Sequence, residues 1–148
     1  MAIVDASVVV EFVAPDADDT GAVQPLFDRW AQAGEDLHAP AMLPLEVMNA
    51  LLTGVRRGRW DGQAADAAAS FVATLPISLH DDGRDRNRAW ELARRYDNYP
   101  IYEMLYVALA ERLGEPLITV DDKLRRRLAP LGLVFRPDEA PGIARTCQ

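Results

Sequence analysis

Four carboxylates stand in stretches that are otherwise apolar: Asp5 in AIVDASVVV, Glu46 in LPLEVMNALL, Glu103 in IYEMLYVALA and Asp121 in PLITVDDKL. A carboxylate buried without a partner costs several kcal/mol. Such a run either exposes its acid at a strand end or sets something positive against it. Four of them in one cleft would repel, and each would hold its proton more tightly, until a cation neutralised them. Oxygen-only donors select a hard cation such as Mg²⁺ or Mn²⁺. Such an ion polarises a phosphoryl oxygen, lowers the pKa of bound water and steadies a leaving oxygen. That chemistry is phosphodiester hydrolysis. Each acid also has a plain structural reading. Glu46 and Glu103 fall in first helical turns, where the helix dipole favours a carboxylate, and Asp5 and the Asp121–Asp122 pair fit helix N-caps.

The elements that must position these residues follow from the hydrophobic pattern. AIVD, LHAP, ISLH, PLITV and LVF read as short strands. Between them lie helical stretches. SVVVEFV runs to Pro15, and GAVQPLFDRWAQAG carries Val23, Leu26, Phe27 and Trp30 at helical spacing. LPLEVMNALLTGVRRG has Pro44 near its first position and Val47, Ala50, Leu51 and Val55 as its stripe, with Gly54 a weak point. DGQAADAAASFVATL ends at Pro76, and DRNRAWELARRYD places Ala89, Leu92 and Ala93 inward. IYEMLYVALAERLG places Ile101, Leu105, Ala108, Leu109 and Leu113 inward and stops at Gly114, and DDKLRRRLAPLG is the last helix. Strands alternating with helices predict an α/β fold with a mainly parallel sheet. Ligands of such sheets sit outside the carboxyl ends of the strands. Asp5 ends the first strand and Asp121 follows the fourth, so both belong to that rim.

With 148 residues, 49 % hydrophobic and 26 % charged, the chain suits one folded domain, with a tail from about residue 137 expected to fray. No apolar run is long enough for a membrane span, and no signal peptide is read. The lone Cys147 has no partner for an internal disulfide, which fits a reducing, cytoplasmic setting. A net charge of −7 opposes long-range attraction of nucleic acid, so an RNA substrate would need local basic patches or metal ions. There is no phosphate-binding glycine loop of either common kind.

In this order, VDASVVV, LPLEVMNALL, YEMLYVALAERLG and PLITVDDKL resemble a PIN domain, most closely the VapC-type toxins of toxin–antitoxin pairs. The resemblance spans residues 1 to 136. It implies a central parallel sheet of four to five strands flanked by helices, and an acidic cleft that binds Mg²⁺ or Mn²⁺ and cleaves RNA internally. By position, Asp5, Glu46, Glu103 and Asp121 match the family's four acids. Glu103 departs from the pattern, since the family usually has Asp there. Implied roles are Asp5 and Glu103 as main metal ligands, Asp121 as a further ligand, and Glu46 as the group that orients water or takes its proton. Ser7, Asn49, Thr119 and Asp122 would line the cleft. The resemblance also implies a homodimer and a VapB-type antitoxin that reaches the cleft with a basic side chain.

Several features have competing readings. Lys123, Arg125, Arg126 and Arg127 are either a solvated face or a grip on RNA phosphates beside Asp121. Arg56, Arg57 and Arg59 favour a helix C-terminus. Tyr96, Tyr99, Tyr102 and Tyr106 read first as packing and second as a base-stacking platform. His38 and His80 read as structural, and Phe12, Leu26, Phe27, Trp30, Leu51, Leu52 and Trp60 as core. Two other functions stay open. One is a non-catalytic PIN-like module that binds RNA or protein, with Glu103 as its warning sign. The other is a phosphatase on a different α/β fold, but Ser7 stands where its usual second Asp would be.

Overall fold

The computed structural model describes residues 1–141; Cys147 and the end of the tail lie outside the described residues. Five strands form one parallel sheet in the order β3-β2-β1-β4-β5: β1 (Ala2–Val4), β2 (Leu37–Pro40), β3 (Ile77–His80), β4 (Leu117–Ile118) and β5 (Val134–Phe135). Among the described residues seven helices connect them: α1 (Ala6–Val13), α2 (Val23–Ala33), α3 (Leu43–Arg56), α4 (Gly62–Val72), α5 (Gly83–Arg95), α6 (Ile101–Leu113) and α7 (Asp122–Leu128). The fold class and the element order agree with the expectation from pattern.

Three details differ. First, β4 is shorter than PLITV. Thr119 still donates its N–H to the Phe135 carbonyl (3.0 Å), but the Asp121 N–H turns back onto Thr119 Oγ1 (3.0 Å) and bends the chain out of the sheet. Second, α7 tightens into a 3-10 turn at Ala129–Leu131, because Pro130 has no N–H to donate. Third, α6 is buried almost all round, through Met104, Tyr106, Val107, Ala108, Leu109 and Ala110, whereas Ile101, Leu105 and Leu113 are only half-buried. A single inward stripe is the wrong pattern for a helix covered on several sides. The sheet lies on one side of it and α5 on another, where Arg88 grips Glu111 (2.6 Å) and Arg112 grips the buried Asp85 (2.6 Å).

The sheet changes direction at β1. The chain steps outward through β2 and β3 on one side, then returns to place β4 and β5 on the other. A crevice opens outside the carboxyl ends of the strands where such a sheet reverses. Here those are the ends of β1 and β4. Because the sheet is parallel, α1, α3 and α7, which follow β1, β2 and β4, begin at this rim. α6, which runs down into β4, begins there as well.

Candidate active site

Each of the four acids is delivered to that rim by a different element. Asp5 is the first residue beyond β1, and its N–H donates to the Ile118 carbonyl of β4 (3.0 Å). Glu46 and Glu103 lie in the first turns of α3 and α6. Asp121 heads α7. Asp121 does act as an N-cap, with Oδ1 accepting from the Leu124 N–H at 3.0 Å. Asp5 occupies the N-cap position of α1 but makes no side-chain cap.

Asp5 is only 8 % exposed, so the rim position does not leave it in solvent. Among the described residues no cation pairs with it either. Its Oδ2 accepts hydrogen bonds from the hydroxyls of Ser7 and Thr119, the latter at 2.7 Å. Ser7 and Thr119 lie 3.3 Å apart, and the Val120 N–H donates to Ser7 Oγ at 3.3 Å. These hydroxyls favour the ionised form, but burial outweighs them and pushes the Asp5 carboxyl up, with the charge of Asp121 adding to the effect.

Burial likewise pushes Glu46 up to about 7, and the charges of Asp5 and Glu103 push the same way. The phenol of Tyr106, a residue only 1 % exposed, opposes them by donating to Glu46 Oε1 at 2.9 Å. Glu103 is raised by burial and then by Asp5 and Asp121. Its Oε2 is buried without a hydrogen-bond partner among the described residues. The charge of Asp121 thus reaches Asp5 and Glu103, and that of Asp5 reaches Glu46 and Glu103.

The remaining candidates are distributed unevenly. Ser7 and Thr119 belong to the Asp5 network. Asn49 is exposed one turn beyond Glu46, and its carbonyl accepts from the Thr53 hydroxyl (2.9 Å). Asp122 is drawn to Arg136 (3.2 Å) and Arg125 (3.5 Å) instead. Arg125 is also near Glu139 (3.6 Å), and Arg127 pairs with Asp97 (2.8 Å). Lys123 and Arg126 are exposed and form no ion pair among the described residues. His38 and His80 pair through their ring nitrogens at 2.9 Å. Sequence reading missed the role of Tyr106. The available signal was its position three residues after Glu103, which places both on one side of the helix.

Could these residues hold a cation? Among the described residues, no three acidic, cysteine or histidine side chains close on a common point as a finished metal cage. The donor chemistry nevertheless fits a hard ion: all oxygen, mutually repelling, with one carboxylate oxygen buried and unpartnered.

A parallel α/β sheet with carboxylates gathered at its reversal belongs to a class whose ligands bind at the strand ends. Comparison with known proteins narrows the class. The PIN domain family profile matches residues 2–128. Over 124 residues the chain is 34 % identical to Ribonuclease VapC3 of Mycobacterium tuberculosis, covering 84 % of this chain and 85 % of the relative. The fold resembles the crystal structure of PAE2754 from Pyrobaculum aerophilum, with a TM-score of 0.68 at 24 % identity, covering 93 % of this chain and 89 % of that one. It also resembles VapC20 of M. tuberculosis, described as a sarcin-ricin loop cleaving toxin, with a TM-score of 0.66 at 20 % identity, covering 90 % and 97 % of the two chains. The chain belongs to the PIN-domain family.

Proposed function

We propose that this protein is a metal-dependent endoribonuclease and the toxin half of a VapBC-type toxin–antitoxin pair. The observation that carries the reading is a group of buried carboxylates at the sheet reversal that hold their protons more tightly than usual and form no ion pair among the described residues. Asp5 is buried, Glu46 is pushed up to about 7, and Glu103 has a buried oxygen that finds no partner among the described residues. Asp5, Glu103 and Asp121 would hold Mg²⁺ or Mn²⁺, with Glu46 beside them. When bound, such an ion supplies Lewis acidity to the phosphodiester and a more acidic water.

The chain's own residues do the rest. Ser7 and Thr119 fix the orientation of Asp5, and Tyr106 fixes that of Glu46. Glu46, with its carboxyl near neutrality, is suited to orient the attacking water and accept its proton. The substrate is RNA, and the setting is the cytoplasm. No helix among the described residues is long and apolar enough to cross a membrane. Leu45, Met48 and Leu52 form an exposed apolar ridge on α3, which supports a protein partner, either a second copy or the VapB-type antitoxin. A non-catalytic RNA- or protein-binding module is the second reading, favoured by the lack of a closed metal cage among the described residues.

The test is incubation of total bacterial RNA with the purified chain in Mn²⁺ or Mg²⁺ against chelator, beside Asp5→Asn. Discrete fragments that require metal and fall by roughly a hundredfold or more in the variant are expected. No cleavage, together with no metal binding by calorimetry, would favour the binding module.

A further inference from the structure

The turn between α5 and α6 carries features that the four acids do not explain. Asp97 and Asn98 both adopt left-handed backbone conformations (φ 58° and 59°), which L residues visit singly and rarely in succession. Arg94 of α5 donates to the Asn98 side chain, and a side chain of α7 pins the turn from the other side. Arg127 of α7 pairs with Asp97 at 2.8 Å, donates to the Tyr96 carbonyl at 3.3 Å, and lies with its guanidinium 5.3 Å from the centre of the Tyr99 ring. The Tyr99 N–H is tied back to the carbonyls of Ala93 and Tyr96. Tyr99 is thereby fixed just ahead of α6, which carries Glu103 in its first turn, and against Arg127 of α7, whose N-cap is Asp121.

The Tyr99 ring is half-buried, and its hydroxyl has no hydrogen-bond partner among the described residues. Burial, and then the charges of Asp121 and Glu103, push its ionisation upward, so it stays a neutral donor. We infer that Tyr99 contacts the substrate: its phenol O–H donates to a backbone oxygen of RNA at the Asp121 side of the cleft, and Arg127 positions it. The inference rests on the nuclease reading. Base stacking is the poorer use of this ring, because Arg127 lies over it and the ring packs against the core. A neutral donor is what a phosphate needs beside carboxylates that repel it, and Arg127, already paired with Asp97, serves only to hold the ring.

Tyr99→Phe keeps the ring and the contact with Arg127 and removes only the O–H. The expected result with total bacterial RNA in Mn²⁺ is a roughly tenfold lower rate at limiting RNA, the size of one hydrogen bond to a charged group. The Tm and the Mn²⁺ affinity by calorimetry should not change. In an Asp5→Asn background, Tyr99→Phe should weaken binding of a fluorescein-labelled single-stranded RNA by a similar factor. Arg127→Met should cost less in the Tyr99→Phe protein than in the wild type, since a positioning residue has little left to position. Wild-type rates from Tyr99→Phe would overturn the substrate contact, and additive losses would overturn the positioning role of Arg127. Failure of the nuclease reading is distinguishable, because the wild-type chain itself would then cut nothing in any metal.

Discussion

Asp5 shows how a charge is kept inside an apolar run. Two hydroxyls from Ser7 and Thr119 hold one of its oxygens, and the residues that share its pocket are more acids. Without metal, such a site opposes folding at neutral pH. Glu46 illustrates the sign. Its folded pKa, about 7, lies above its ordinary value of 4.5, so the folded state binds the proton more tightly. The stability this contributes is full below about pH 4.5 and is lost as pH rises through about 7. Glu46→Gln mimics the protonated form throughout. In chelator it should match the wild type near pH 4.5 and melt higher at about pH 8, where each kcal/mol is worth about 2–4 °C in a domain of this size. Equal melting temperatures at about pH 8 would count against the raised proton affinity. The four acids were visible in the sequence because each interrupts an apolar stretch. Tyr106 was not, because a tyrosine in an apolar helix looks like packing until its hydroxyl is seen against Glu46.

At the scale of elements, α3 carries both a site residue at its start and a structural device at its end. Gly54 weakens a helix by about 1 kcal/mol relative to Ala, yet here it has a reason. The Trp60 ring lies against it, and a Cβ at Gly54 would run into Trp60 Cζ2. Trp60 donates its indole N–H to the Leu51 carbonyl at 2.9 Å, and Arg59 covers its ring. Gly54→Ala should therefore destabilise by about 1–3 kcal/mol despite the better helix propensity. In a Trp60→Leu background the same change should be neutral or stabilising. Thermal melts of the four proteins decide it, and a Gly54→Ala chain as stable as the wild type would show that Trp60 moves aside freely. Helix starts, the proline of α3 and the glycine stop of α6 were legible as local chemistry. The all-round burial of α6 was not, because its apolar residues fit a one-sided stripe about as well.

Across the whole molecule the charge is adverse to RNA, and the basic residues after Asp121 do not all remain free to offset it. Arg125 and Arg127 are engaged by acids, and Asp122 is held by Arg136, whose backbone N–H also meets Glu139 (3.3 Å) in a turn at residues 136–139. Lys123 and Arg126 are the exposed cations of α7 without ion pairs among the described residues. Replacing both by Ala should weaken RNA binding and flatten its dependence on log salt by roughly 1.4, at about 0.7 per single-strand phosphate contact. Anisotropy titrations over a salt series measure this, and an unchanged slope would remove α7 from the RNA path.

The sequence by itself determined the alternation of strands and helices, the parallel sheet and the four acids, because periodicity, proline and glycine signals and isolated charges are local properties. Tertiary structure decided which of those acids meet. That depends on the strand order, which sets β1 beside β4 and so puts Asp5, at the end of one, near Asp121, beyond the end of the other. It also decided that Asp122 turns to Arg136, that Tyr106 serves Glu46, and that Tyr99 is pinned at the lip by Arg127. Side-chain partners from distant segments are fixed only when the sheet closes, and no spacing along the chain encodes them.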